Sequence, residues 1–254
     1  MQGNNAPDRR EQVELKVPQF RVGGWKSILD TVTQEVALTV SWSDPASGGK
    51  GRKELWAWPV ELDLLALGHV LLDVLPPAEA MQRTAEVTVT GEHSCAVMLK
   101  DSAGSAPPPP VSWDEKALLR AMRDFISAAG LWDVTGCFHR AGVFDPASGL
   151  LLTRAEDIGR HNCLDRLAGW SATGGQPLSD KVLLTSARIT ASYCAKALRA
   201  GFRILVSQGA VTTASIAMAR EAEATLIGFA RPGEERFTVF SDDARRMGYP
   251  GKDD

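Results

Sequence analysis

Cysteine is scarce in this chain and poorly placed for cross-linking. Cys95, Cys137, Cys163 and Cys194 stand far apart and form no C-x-x-C pair. That pattern fits reduced thiols in a cytoplasm better than a disulfide framework or a zinc clip. No apolar run approaches the ~18 residues of a membrane span, and "MQGNNAPDRREQVELKV" lacks the apolar core of a signal peptide. Neither membrane insertion nor export is therefore expected. Basic residues form no block and the net charge is -3, so nothing demands nucleic acid or an anionic membrane as partner. "SGGKGRK" (47–53) lacks the spacing and the Ser/Thr of a P-loop, and there is no G-x-G-x-x-G after a strand. No H-x-E with P-C-x-x-C is present either, which removes zinc-deaminase chemistry. What remains is 254 residues, 44% hydrophobic and 23% charged, enough for one large domain or two modest ones.

The pattern along the chain falls into two halves. Residues 1–15 read as a polar leader and 16–105 as a smaller, strand-rich α+β part. Within that part, "EVALTVSW" and "GRKELWAW" flank the turn residues "SDPASGG", each suited to a turn for its own steric reason. Trp42, Trp56 and Trp58 alternate poorly with polar neighbours and suit a covered sheet face or a contact between subunits. "ELDLLALGHVLLDVL" has its leucines at helical spacing, and "AEVTVTGEHSCAVMLK" reads as one or two strands. "DSAGSAPPPPVSW", with the linker placed at 106–113, cannot be helix or central strand.

Residues 114–254 read as α/β. "WDEKALLRAMRDFISAAG" predicts a helix begun by Asp114 and Glu115 and stopped by Gly130. "CFHRAGVF" and "LLLTRAED" predict a hairpin around a second "DPASG". Short apolar runs then alternate with glycine-closed helices, the pattern of βαβ units around a buried sheet.

Candidate site residues fall at the joins. In "EDIGRHNCLDRL" (156–167), Gly159 permits a tight turn into a helix that would begin with Arg160, His161 and Asn162. Free N–H groups there attract anions, and Glu156 and Asp157 would orient or pair with Arg160 and His161. A solvated helix start is the competing reading. "TGCFH" would put Cys137 and His139 on one side of a strand, a pair able to make a thiolate only if the atoms meet. In "TSARIT", Ser186, Arg188 and Thr190 would bind a phosphate or cap a helix. "GFARPGEER" offers Arg231, Gly233 and Arg236 in a loop, to grip phosphates or a base edge.

In order, "TGCFHRAGVF", "EDIGRHNCLDRL", "SARITASYCAKALRAGFRILVS", "TTASIAMAREAEATLIGFAR" and "RFTVF" resemble the C-terminal half of the formate dehydrogenase accessory sulfurtransferase family, FdhD. E-D-[IV]-G-R-H-N is that family's most specific signature, and the first half is similar more loosely. The resemblance implies a cytidine-deaminase-like α/β/α domain without the deaminase zinc. It also implies a cytoplasmic homodimer that binds the guanine-nucleotide part of a bis-molybdopterin guanine dinucleotide cofactor, for which GDP would be a partial mimic. The cofactor-binding residues it implies are Phe229, Ala230, Arg231, Pro232, Gly233 and Glu234, with Ser186, Arg188, Gly159, Arg160, His161 and Asn162. The implied partners are a cysteine desulfurase and a molybdenum or tungsten formate dehydrogenase.

In the family, sulfur is loaded on a cysteine of a C-G-x-C-G loop between the halves. The equivalent interval here, "KDSAGSAPPPPVSW", has no cysteine, and Ala187 replaces the glycine of the usual S-G-R. Cys137 is then the substitute carrier. A cofactor-binding chaperone without the sulfur relay is the first alternative function. A hydrolase or transferase using His161 or Cys137 is the second.

Overall fold

The computed structural model describes residues 12–100, 114–174 and 176–247. The proline-rich connection lies outside the described residues. The chain begins with a hairpin, β1 (Gln12–Arg21) and β2 (Gly24–Thr33), paired antiparallel in a sheet of its own. Its first residues fall inside the stretch read as leader. Val13, Leu15 and Val17 do alternate with charged residues, but both faces of the hairpin are largely exposed.

The other strands of the first half are β3 (Val36–Asp44), β4 (Gly49–Ala57), β5 (Thr84–Gly91) and β6 (Ser94–Lys100), in the order β4-β3-β6-β5. Leu38 and Val40 on β3 and Cys95 and Val97 on β6 turn one face inward. That face is covered by α1 (Leu62–His69), which runs on into a π-helical turn, Val70–Val74. The tryptophans divide: Trp58 is buried, while Trp56 is exposed.

The repeated "DPASG" folds the same way twice. Asp44 accepts from Ala46 N and Ser47 Oγ, and Asp145 accepts from Ala147 N and Ser148 Oγ. Gly48 and Gly149 both take φ of 71°, a conformation that glycine adopts without steric cost.

The second half is built on a six-stranded sheet. Its strands are β7 (His139–Asp145), β8 (Leu150–Asp157), β9 (Val182–Thr185), β10 (Ile204–Ser207), β11 (Thr225–Arg231) and β12 (Arg236–Ser241), ordered β12-β11-β10-β9-β7-β8. β9, β10 and β11 are parallel and carry the buried apolar runs. Val182 and Leu184 face α2 (Glu115–Ser127), while Leu183 faces the other side, covered by α4 (Arg160–Gly174), α5 (Ala191–Arg199) and α6 (Thr213–Glu221). The period of two therefore sorts one strand between two helical layers. The result is the α/β/α architecture expected of the C-terminal half.

Asp114 caps α2 by accepting from Ala117 N at 2.7 Å. Gly130 does not stop this helix, which ends at Ser127 with Ala128 as its cap. Glycine is needed at 130 for space: a Cβ there would lie 2.3 Å from Glu156 Oε1 and 2.7 Å from Arg140 Nη2. A short α3 (Trp132–Thr135) follows and is closed by Gly136.

The two halves are joined by backbone contact. α1 packs on α4, and a Cβ on Gly68 would lie 1.8 Å from Asp165 O, one on Gly169 2.1 Å from Leu64 O. The helices touch because both lack side chains at the crossing.

Candidate functional site

The parallel strands end together, and their loops are stitched side by side. Ile189 bridges to Val211, Gly209 packs against Arg188, and Phe229 N donates to Gly209 O at 2.9 Å. β7 and β8 run so that His139 pairs with Asp157 at this same edge, from which α4 departs. The amino ends of α4, α5 and α6 thus gather along the carboxyl edge of the sheet. Unsatisfied N–H groups and helix dipoles favour anions at such an edge.

Cationic side chains enrich it. Arg160 is half-buried and Arg188 exposed, and neither has a carboxylate partner among the described residues. Burial, then the charges of Arg160 and Arg188, hold His139 below its ordinary pKa. His161 contacts Ser192 Oγ through Nε2 at 3.2 Å, and its ring lies tilted against Tyr193, 5.7 Å between centroids. Burial, Lys196 and Arg160 bring its pKa down to about 4, so His161 is a neutral hydrogen-bonding group at pH 7. Tyr193 donates to Thr185 Oγ1 and, buried, is held well above the usual phenol range.

The acidic members of "EDIGRHN" serve other partners than those the sequence suggests. Glu156 accepts from Arg140 Nε at 2.7 Å and from Leu131 N at 3.1 Å. Asp157 accepts from Arg166 Nε and Nη2 at 3.0 and 2.6 Å. Arg160 is thereby left without a neutralising carboxylate among the described residues. Asp157 also accepts from Gly159 N, and the Asn162 amide donates to Asp157 and to Trp56 O. A Cβ on Gly159 would meet Asn162 at 2.9 Å. Gly159 and Asn162 therefore shape the turn, and Asn162 turns its amide N–H groups toward the protein.

The other candidates divide similarly. Ser186 bonds the backbone of Arg140 through Oγ, which joins β9 to β7. Thr190 occupies the N-cap of α5 without a side-chain cap bond. Arg231 ends β11 and Arg236 begins β12, on either side of a 3-10 turn, Pro232–Glu234. Glu234 pairs with both, at 2.9 and 2.5 Å, and this holds its carboxyl below the usual range. Phe229, at φ 51°, lies under both guanidinium groups, 5.7 and 6.0 Å from its centroid. Any anion gripped by these arginines would displace Glu234. Ala230 is buried against the sheet, and Gly233 has open space around it.

Cys137 is not on a strand with His139: it lies in the turn before β7, with its N–H bonded to Thr135 Oγ1. It is nevertheless the exposed cysteine, the other three being buried. Burial pushes the Cys95 and Cys163 thiols up and Cys194 to about 11, so these are poor nucleophiles at neutral pH.

Behind His161 lies a polar seam that sequence reading missed. Lys196 Nζ sits 2.7 Å from Asp73 Oδ2 and 2.7 Å from Asp165 Oδ2, and His69 Nδ1 is 3.1 Å from Asp73. The ammonium occupies the place of a cation between the carboxylates. Burial raises Asp165 to about 6 against the opposing pull of Lys196 and His69. For Asp73 burial acts the same way, but the His69 hydrogen bond and Lys196 outweigh it and keep the pKa low. The available signal was spacing: His161/Asp165 and Ser192/Lys196 are both i,i+4 pairs on facing helices.

A cleft of about 840 Å³ between α2 and the β7–β8 turn lies at the opposite edge of the sheet. Asp114, Glu115 and Asp124 line it with Arg120, a poor setting for an anionic ligand.

Comparison with known proteins gives the family and the shared fold. The model of the FdhD/NarQ family matches residues 71–247. The sulfur carrier protein FdhD of Bacillus subtilis (strain 168) is 38% identical over 130 residues, 51% of this chain and 48% of that protein. Protein FdhD of Methanocaldococcus jannaschii is 36% identical over 113 residues, 44% of this chain and 48% of that protein. The chain thus spans about half the length of these two relatives. The sulfur carrier protein FdhD of Chromobacterium violaceum is 26% identical over 261 residues, covering 88% of this chain and 94% of that protein. A crystal structure from Desulfotalea psychrophila, provisionally assigned as a formate dehydrogenase accessory protein, superposes with a TM-score of 0.74 at 22% identity. It covers 93% of this chain and 99% of that one, and so shares the fold. Among the described residues no helix is long and apolar enough to cross a membrane. With the family model covering both the carboxyl-edge site and the helices that build it, this chain belongs to the FdhD/NarQ family.

Proposed function

We propose that the chain is an accessory protein for a formate dehydrogenase and that its carboxyl-edge site holds the guanine-nucleotide end of a bis-molybdopterin guanine dinucleotide cargo. The observation that carries this is the meeting of helix amino ends with Arg160 and Arg188, both without carboxylate partners among the described residues. Neutral His161 and Ser192 would offer hydrogen bonds beside them. Arg231 and Arg236 would grip phosphate after releasing Glu234. Calorimetry with GDP tests the reading. Wild type should bind, and Arg188→Ala and Arg231→Ala should each lose about 1.5–3 kcal/mol, the scale of a charge-assisted phosphate contact. Affinities equal to wild type would remove those arginines from the site, and no binding by wild type would remove the site. The functional protein on this reading is a homodimer, with a cysteine desulfurase and the client dehydrogenase as partners.

The sulfur step separates a sulfur carrier from a chaperone that only holds the cofactor. With no cysteine in the sequence between the halves, the exposed Cys137 is the candidate carrier. The expected result is weak or absent sulfur loading, confined to Cys137. The assay incubates the protein with a desulfurase and radiolabelled cysteine and compares wild type with Cys137→Ala. Strong label that survives the substitution would refute Cys137. Strong label lost with it would favour the sulfur carrier over the chaperone.

A further inference from the structure

The β1–β2 hairpin has little reason to stand alone. A two-stranded hairpin is marginal in water, and three or more strands with an apolar face are needed for independent stability. β2 rests against α3, where Thr33 Oγ1 and Thr135 Oγ1 lie 2.9 Å apart. Yet Phe20, Trp25 and Leu29 are 60%, 72% and 63% exposed. Apolar surface grouped this way marks an interaction site.

The two edges of the hairpin differ. Pro18 in β1 has no N–H to give a ladder, whereas β2 contains no proline. Lys26, Ile28 and Asp30 alternate with their neighbours and so share one face of β2, with Ile28 midway between the charges. A second β2 laid antiparallel about Ile28 sets Lys26 of each chain opposite Asp30 of the other. The same register sets Trp25 opposite Thr31, close to the second chain's α3, whose Trp132 and Val134 are exposed. A ten-residue strand reaches roughly 33 Å at about 3.3 Å per residue, so the tip of one arm meets the base of the other.

We propose that the β1–β2 hairpin is a dimerisation arm whose β2 edge pairs antiparallel, about Ile28, with β2 of a second copy of this chain. The pairing makes a four-stranded sheet with two Lys26–Asp30 contacts across the two-fold axis. It is isologous, each patch meeting its own counterpart, and it brings Trp25 of each arm to the base of the other. The inference rests on the homodimer reading given above and assigns its surface.

Sedimentation velocity on the full chain tests it. Wild type should run as a dimer. Lys26→Asp sets aspartates opposite one another and Asp30→Lys sets lysines opposite, and like charges directly opposite destabilise a strand pair. Each variant alone should dissociate at least tenfold more readily than wild type. An equimolar mixture should reassemble, because the introduced aspartate of one chain then faces the introduced lysine of the other. Rescue on mixing also shows that both variants are folded. Variants as dimeric as wild type, or a mixture that stays monomeric, would overturn the arm while a wild-type dimer leaves the homodimer standing. A monomeric wild type would overturn both, with GDP binding read separately.

Discussion

Arg166→Met should cost about 3–5 kcal/mol of folding stability, the usual loss on breaking a buried ion pair from one side. Arg166 and Asp157 are 2% and 0% exposed as side chains. Removing the guanidinium strands the Asp157 carboxylate, whose remaining partners are Gly159 N and the Asn162 amide. It also removes the donors to the carbonyls of Trp58, Val60 and Glu61, in the segment that leads into α1. Urea unfolding followed by circular dichroism gives the measurement. Asp157→Asn breaks the same pair from the other side: it leaves the buried Arg166 cation unneutralised and points an amide N–H toward donors, so it should also destabilise. A loss below about 1 kcal/mol for Arg166→Met, the level of an exposed pair, would show that the pair is not structural.

The next largest effect is steric. Gly169→Ala puts a Cβ 2.1 Å from Leu64 O, and a backbone carbonyl cannot swing aside as a side chain can. Separating α4 from α1 should cost at least the ~1–3 kcal/mol typical of an overpacked core. Gly174→Ala, on the same helix, supplies the control. Its Cβ would meet only Gln176 Cγ, at 3.7 Å, and exchanging a helical glycine for alanine favours the helix by up to about 1 kcal/mol. The two melting temperatures should therefore move in opposite directions. A parallel shift would mean that the contact relaxes without strain.

These residues also show where sequence reading succeeds and where it stops. The "DPASG" turns were legible because Asp, Pro and Gly act within five residues of one another, with no help from the rest of the fold. The alternation of β9, β10 and β11 with helices was legible for a similar reason: each apolar run is buried on both faces. The partners of Glu156 and Asp157 were not, because charge matching within a short string points to Arg160 and His161, whereas the partners are Arg140 on β7 and Arg166 further along α4. Only the packing of α4 turns Arg166 inward and Arg160 to the site. Gly130 misled for the opposite reason: glycine after a helix is a common stop, and here its missing side chain makes room for Arg140. The β1–β2 hairpin was missed although Val13, Leu15 and Val17 alternate with Glu14 and Lys16, because a leader ending at residue 15 cuts that run and neither face of the hairpin is covered within the chain. The meeting of "EDIGRHN", "SARIT" and "FARPGEER" at one edge needed the family resemblance, since order along the chain does not state adjacency.

The glycine-to-carbonyl contact between α1 and α4 has a thermodynamic meaning. By chain order α1 belongs with the four-stranded sheet, yet its closest neighbour is the longest helix of the six-stranded half. Unfolding of the first half alone would take Leu72 out of the core of the six-stranded half and uncover the glycine crossing on α4. The described halves therefore behave as a single cooperative unit, in which an opening free energy measured at the site approaches that of the whole body.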